Sequence, residues 1–420
     1  MIDVLANARF RRLLAAQVVA LIGTGLLTVA LGLLAYDLAG NAAGAVLGTA
    51  LAIKMLAYVV VAPLISAATY RMPRRVLLVG SDAVRATIAV LLPFVDQQWQ
   101  IYALVFVLQA ASATFTPTFQ SVIPDVLVAE RDYTRGLALS RLAYDLETLL
   151  SPVLAAALLT VLAYNYLFLG TVLGFIASAA LVMRTALPRS ASSRSPDSFW
   201  QRTTAGARIM LRRPVLRALL VLNLVVASAT GLVVVNTVVY AQDVLSGSNT
   251  VVALLLAFYG AGSMSVALRL HRLLNRSSDR RLMLAGAVLT SLTLMATATL
   301  LLAGPGPVVG WVGFSLAWLA LGAGTALINT PAARLLRYQS EPAGRSAVFA
   351  AQFSLSHACF FLTYPLAGWL GVLAGQPGAA AVLAGLAMAA TVVAARIWPV
   401  TSASDATVER PPRRPAGLPR

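Results

Sequence analysis

Seven ionisable side chains stand inside runs of residues that are otherwise apolar: Lys54, Asp82, Arg85, Arg141, Asp145, Glu147 and His357. Charge at membrane depth is costly, so each such group needs a partner or a task. The chemistry open to them is ion pairing, proton carriage and contact with a charged cargo. Asp82 and Arg85 are three apart and Arg141 and Asp145 four apart, so each pair shares a helix face and can neutralise itself. Lys54 has no acid within a helical turn, and Glu147 has no base three or four positions away. These two must titrate or pair across helices. Glu147 is therefore the first candidate for proton carrier, with Asp145 second and Lys54 as electrostatic partner or cargo contact. Asp145 and Glu147 lie about 200° apart at ~100° per residue, so both cannot face one cavity. Blander readings stand beside these: Asp82 with Arg85 as a structural pair near the cytoplasmic end of its run, supporting a basic loop; Arg141 with Asp145 as packing or gating; His357 as a polar core histidine. His357 and Cys359, two apart on a helix, point in different directions and cannot chelate one ion unaided, so no metal site is expected.

The runs that must position these residues define an all-α membrane protein. Hydrophobic residues make up 59% of the 420 and charged residues 11%, with mean hydropathy +0.81. Twelve apolar runs fall at 13–37, 45–68, 76–95, 101–119, 136–163, 166–183, 216–240, 250–270, 282–303, 308–328, 346–371 and 378–397. Each has about the length a helix needs to cross ~30 Å of hydrocarbon. The loops 41–44, 96–100, 164–166, 242–250, 304–307 and 375–378 contain no Lys or Arg, whereas the alternate loops are crowded with arginine. Positive charge in short loops stays in the cytoplasm, so both termini are expected there, in a bacterial inner membrane. The net charge of +17 lies on that side, where it suits anionic lipid and not nucleic acid. Lys54 is the one basic residue that is not arginine, and one cysteine excludes an intrachain disulfide. The start, Arg9-Phe10-Arg11-Arg12, leads into a run too long for a cleaved leader, so an uncleaved first span is expected. No Gly-x-x-x-x-Gly-Lys phosphate loop and no catalytic constellation is present, which points away from an enzyme and from a bound cofactor. The partners expected are a small-molecule or ion substrate, protons and membrane lipid, for a monomeric protein.

The runs divide six and six around a polar stretch. Expected domains are 1–183, a cytoplasmic central loop 184–213, 214–397 and a disordered tail 398–420, with Phe199 to Arg213 as a basic amphipathic helix. Thr24-Gly25-Leu26 with Asp37 recurs as Thr230-Gly231-Leu232 with Asp243, every position 206 further on. The basic loop before Arg75 recurs before Arg281, and Thr116-Pro117 with Pro152 recurs as Thr330-Pro331 with Pro365. Parallel six-span repeats are a transporter architecture, with the site near the midplane between them. The polar residues Gln17, Gln109, Asn223, Asn236, Asn329 and Gln352 are expected to include pathway groups.

At these positions the chain resembles the major facilitator superfamily over residues 5–400. The loop Ser66-Ala67-Ala68-Thr69-Tyr70-Arg71-Met72-Pro73-Arg74-Arg75 stands where that family has Gly-x-x-x-Asp-Arg-x-Gly-Arg-Arg. Arg71, Arg74 and Arg75 match, while Ser66, Tyr70 and Pro73 replace the Gly, Asp and Gly. The resemblance implies that these arginines latch the cytoplasmic gate, with Asp82 and Arg85 behind them. It also implies that spans two and eleven are neighbours, so Lys54 and His357 lie close together. Phe10-Arg11-Arg12-Leu13 and Pro117-Thr118-Phe119-Gln120-Ser121-Val122-Ile123-Pro124-Asp125 look like the branch of macrolide, siderophore and nickel-resistance exporters. Ser151-Pro152-Val153-Leu154-Ala155-Ala156 stands where antiporters carry Gly-Pro-x-x-Gly-Gly. The implied function is proton-coupled efflux of a drug, siderophore-like compound or metal, with uptake of a small solute as the rival and a membrane scaffold or sensor as a remoter one.

Reporter fusions after residues 42, 98, 246 and 376 should report the outside, and after 73, 200, 276 and 410 the cytoplasm. A single fusion on the wrong side would break the twelve-span topology.

Overall fold

A backbone in hydrocarbon has no water to bond, so it closes its hydrogen bonds within each segment, and this chain does so as helices. The computed structural model describes residues 2–58, 72–187, 199–340 and 345–399. Among these, α1 (Ala8–Ala39), α2 (Ala43–Leu56), α3 (Arg74–Leu91), α4 (Gln98–Val126), α5 (Glu130–Leu159) and α6 (Asn165–Met183) come first. A short amphipathic α7 (Phe199–Arg212) precedes α8 (Pro214–Val239), α9 (Asn249–Arg276), α10 (Asp279–Leu302), α11 (Pro307–Gln339), α12 (Arg345–Leu373) and α13 (Gly375–Ile397). Nine helical stretches among the described residues are by themselves long and apolar enough to cross a membrane, the first containing both α1 and α2. α4 and α5 are 29 and 30 residues long and carry further apolar stretches, 101–118 and 142–159. The hairpins leaving α1 and α12 turn on Gly40 (φ 51°) and Gly375 (φ 75°), a left-handed backbone that suits glycine.

The chain forms two six-helix bundles, α1–α6 and α8–α13, and their contacts repeat. In the first, Ser140 Oγ donates to Gln17 Oε1 at 2.8 Å and the Gln17 amide donates to the Ser140 carbonyl, joining α1 to α5. In the second, Gln352 Nε2 donates to Asn223 Oδ1 at 3.0 Å and Asn223 returns the bond, joining α8 to α12. Arg75 donates to the Thr185 carbonyl just past α6, at 2.7 Å; in the second bundle Arg280, from the corresponding loop, donates to the Ala395 and Trp398 carbonyls at the end of α13. Arg74 pairs with Asp125, and in the second bundle the polarity is swapped, with Asp279 pairing with Arg334. These contacts revise one expectation. Gln17, Asn223 and Gln352 are clamps within a bundle, and Asn236 is another, donating to the Ala367 carbonyl and to Gln376 Oε1 at 2.8 Å. Of the polar set, Asn329 alone is exposed.

The bundles meet where α2 runs along α12 and α5 along α9. The α2–α12 seam is graded. Toward the face whose loops lack arginine it is made of glycine: a Cβ on Gly368 would fall on the Gly44 carbonyl, and one on Gly48 on the Tyr364 carbonyl. Trp369 Nε1 donates to Thr49 Oγ1 beside them, at 3.2 Å. About 21 Å further along α2, at ~1.5 Å per residue, the seam becomes aromatic, with Tyr58 against Phe353 (ring centroids 6.4 Å) and His357 (5.8 Å). On the arginine-free face Tyr36 of α1 donates to Asp243 of the other bundle, and the Asn41 amide nitrogen faces the same carboxylate at 2.7 Å. Near by, burial and then the Asp37 carboxylate push the Tyr164 phenol pKa above its usual range, so it stays a neutral donor. The arginine-free face is thus closed between the bundles.

Gly368→Leu should force α2 and α12 apart at that end. A cysteine placed at Thr49 should then react faster with a membrane-impermeant maleimide added from the arginine-free face, and unchanged labelling would mean the glycine seam does not seal it.

Candidate functional site

Lys54 is eleven residues into α2, roughly 16 Å from its start, and is half-buried. Its ammonium lies within electrostatic reach of the Glu147 carboxylate and of His357. The groups that have no partner on their own helices are therefore brought together by three different ones. Glu147 on α5 reaches this place because α1 presents Gly25 there: a Cβ at Gly25 would lie 3.3 Å from Glu147 Oε1 and on top of the Ser151 side chain. His357 sits on α12 with its ring 4.0 Å from that of Phe353 and 6.2 Å from that of Phe360. Its Nδ1 is 2.7 Å from the Phe353 carbonyl, to which an Nδ1–H donates. Lys54 and Glu147 belong to the first bundle, and His357 faces them from the second.

The repeat sharpens this picture. Gly231, counterpart of Gly25, packs against Thr363 as Gly25 packs against Ser151. Yet nothing charged takes the place of Lys54 and Glu147 there. The residue 206 beyond Lys54 is Gly260, and Phe360 follows Glu147 by the 213 positions that separate Pro152 from Pro365. In that neighbourhood the second bundle instead holds neutral hydroxyls: Tyr259 Oη lies 3.2 Å from Thr230 Oγ1 and 3.1 Å from Thr325 Oγ1. Sequence reading missed this trio; the signal was the recurrence of Thr24 as Thr230.

The remaining candidates separate from this centre. Asp82 and Arg85 pair with each other and have 0% and 4% relative exposure. They lie about 12–16 Å up α3, not at the loop, and the loop arginines use Asp125 and the Thr185 carbonyl instead. The Arg85 guanidinium lies between the Phe115 and Phe175 rings, 4.4 Å from each centroid, with Ser178 facing the Asp82 carboxylate. The equivalent place in the second bundle is a hydroxyl pair, Ser291 with Thr391 at 3.1 Å. Asp82 and Arg85 thus pair in the bundle interior, while Arg74 and Arg75 of the loop use other partners. Arg71 and the side chains of Arg141 and Asp145 lie outside the described residues. Cys359 is half-buried, and among the described residues no group of three His, Cys, Asp or Glu could hold a metal ion.

Comparison with known proteins agrees with this geometry. A family profile described as Major Facilitator Superfamily matches residues 13–316. Two curated proteins called macrolide efflux protein A, both from Streptococcus pyogenes and one from a serotype M6 strain, are 26% identical over 186 residues. That match covers 43% of this chain and 45% of theirs, so the chain spans less than half the length of these relatives. A mutant of the nucleoside transporter NupG superposes with TM-score 0.75 at 12% identity, covering 92% of this chain and 100% of that one. A POT family transporter in complex with a thioalcohol-conjugated peptide gives 0.71 at 11%, covering 91% and 95%. A bacterial homologue of the lysosomal transporter Spinster gives 0.67 at 11%, covering 93% and 97%. At such identities the likeness establishes the fold.

The buried pair on α3 yields a stability prediction. Asp82→Ala strands the Arg85 charge and should cost about 3–5 kcal/mol, while Asp82→Leu with Arg85→Met should recover most of it. Thermal unfolding of the purified variants in detergent decides this, and a double variant no better than the single one would mean the pair is specifically required.

Proposed function

The chain belongs to the Major Facilitator Superfamily, and on that premise we propose that it is a secondary active transporter exporting a small organic molecule in exchange for protons. The observation that carries this reading is that Lys54 and Glu147, on two helices of one bundle only, lie within electrostatic reach of one another beside Gly25, with His357 of the other bundle in reach of Lys54. A carboxylate and an ammonium in low dielectric neutralise each other; a proton taken by Glu147 leaves Lys54 uncompensated. Proton binding and the pair therefore exclude one another. Any movement of the bundles that separates the two groups or opens them to water changes the affinity of Glu147 for its proton. That is the coupling an exchanger needs.

On this reading residues 1–183 and 214–397 rock as two bodies joined by 184–213, the arginine face is cytoplasmic in a bacterial inner membrane, and the closed glycine seam makes the described state inward-facing. Asp145 remains the second carrier candidate, and the Arg71, Arg74 and Arg75 loop the cytoplasmic latch. Efflux is favoured over uptake by the likeness of part of the chain to macrolide efflux protein A. Organic cargo is favoured over nickel by the same likeness, since the relatives are called macrolide efflux protein A. A scaffold or sensor without transport leaves the Lys54–Glu147 pair without a purpose.

Proteoliposome flux with and without a pH gradient separates these readings. Glu147→Gln keeps the size and hydrogen bonding of the side chain while fixing it neutral. It should abolish uphill, pH-driven transport, with a loss of at least about a hundredfold, and leave downhill exchange measurable. Uphill accumulation by this variant would move the proton site to Asp145 or elsewhere.

A further inference from the structure

Between Phe199 and Arg217 the chain carries five arginines (202, 208, 212, 213 and 217) and no acidic residue. The helix α7 at its centre is two-sided. Met210 is fully buried and Gly206 is buried with it, turned toward α12 and α8, against which α7 packs. The opposite side exposes Arg208 and Arg212, one turn apart, with Leu211 57% exposed beside them. Only Arg213 separates α7 from α8, a membrane-spanning helix, so α7 lies at the level of the bilayer surface. Basic groups alternating with an exposed leucine at that level match phosphate headgroups over acyl chain; an acidic protein partner would leave Leu211 unexplained.

We propose that Arg208 and Arg212 bind the phosphates of anionic phospholipid and that lipid held there, through the packing of α7 on α12, favours closure of the α2–α12 seam. The mechanical link is short. α12 is the helix against which Met210 is turned, and it also carries His357 at the candidate site and Tyr364, Gly368 and Trp369 at the glycine end of the seam. Fixing α7 to the membrane plane restrains the end of α12 nearest the arginine face. A tilt of α12 away from α2 then requires α7 to leave the headgroup layer or to slide over Met210. Only the sidedness rests on the transport reading; lipid binding is measured without transport.

The test uses the full chain in nanodiscs of phosphatidylglycerol or phosphatidylcholine. Wild type should retain phosphatidylglycerol through purification, seen by native mass spectrometry. Arg208→Gln with Arg212→Gln should retain it about twentyfold less, at roughly fivefold per arginine near an anionic surface. Arg208→Lys with Arg212→Lys should retain it nearly as wild type, since the attraction needs charge and not a guanidinium fork. A cysteine at Thr49 should label more slowly in phosphatidylglycerol than in phosphatidylcholine, and the glutamine pair should erase that difference. Equal retention of the two lipids, or wild-type retention by the glutamine pair, overturns the site. Selective retention with lipid-independent labelling overturns the link to the seam. Should wild-type proteoliposomes show no pH-driven flux while lipid retention stands, the transport reading fails and this one survives.

Discussion

In hydrocarbon an isolated ammonium or carboxylate is several kcal/mol worse off than in water, and the penalty falls only when the two meet with good geometry. Lys54 on α2 and Glu147 on α5 come within electrostatic reach of one another beside α1, at the place where α1 offers a glycine. Any larger residue at 25 would occupy the space of Ser151 and press on Glu147. The close packing of Gly25 on Ser151 and Glu147 therefore fixes the rotation of α1 against α5, and Lys54 of α2 lies within electrostatic reach of that place. The arrangement needs α1 to show Gly25 toward α5, α2 to aim Lys54 inward at mid-depth, and α5 to hold Glu147 and Ser151 on one face. The clamp of Gln17 with Ser140, two helical turns nearer the arginine face, holds α1 and α5 in that rotation.

The internal repeat distinguishes scaffold from chemistry. Contacts that appear in both bundles, such as the amide clamps, the arginine caps on α6 and α13, the ion pairs at the arginine face and the glycine crossings, are demands of building a six-helix bundle. They recur because the same packing problem is solved twice. The buried charge does not recur. Arg85 between two phenyl rings has a hydroxyl pair as its counterpart, and Lys54 with Glu147 has only neutral side chains. One half thus holds Lys54, Glu147, Asp82 and Arg85, and the other holds His357 among hydroxyl and aromatic surface, an asymmetry that puts the buried acids in one wall only.

Much of this architecture was legible in the sequence because the bilayer is a stringent solvent. Loop charge marked the twelve spans, and the helix starts and ends among the described residues fall within a few residues of the apolar runs except where α4, α5, α9 and α11 extend well beyond them; the end of the second run, 59–68, lies outside the described residues. A helix does not stop where hydrocarbon stops, so hydropathy underestimates those four. Partners were harder to find. From one sequence, ion pairs are visible only at spacings of three and four, so Asp82 with Arg85 could be named while Lys54 with Glu147 could not. The partners of the loop arginines were equally hidden: Arg74 pairs with Asp125 and Arg75 donates to the Thr185 carbonyl, both far away in sequence. Which of the six intramembrane amides line a pathway the sequence leaves open, because polarity inside a span suits either function or a clamp. Gln17, Asn223, Asn236 and Gln352 satisfy one another or backbone carbonyls, the cheapest solution for a polar side chain without water.

The graded seam between α2 and α12 ties the fold to its motion. Two helices can approach to backbone contact only where side chains are absent, and Gly44, Gly48 and Gly368 supply that at one end. At the other end Tyr58, Phe353 and His357 hold the axes apart by the thickness of their rings. Phe353, His357, Phe360 and Tyr364 follow one face of α12, and exposure falls along it from 44% at Phe353 to 8% at Tyr364. The wedge is thus written into the side-chain sizes, small where the bundles close and large where they part. His357 belongs to that wedge and also lies within electrostatic reach of Lys54. A shift of α12 along α2 would change the distance between the two bundles and the surroundings of the buried charges in a single movement, so gate and charge need no separate connection.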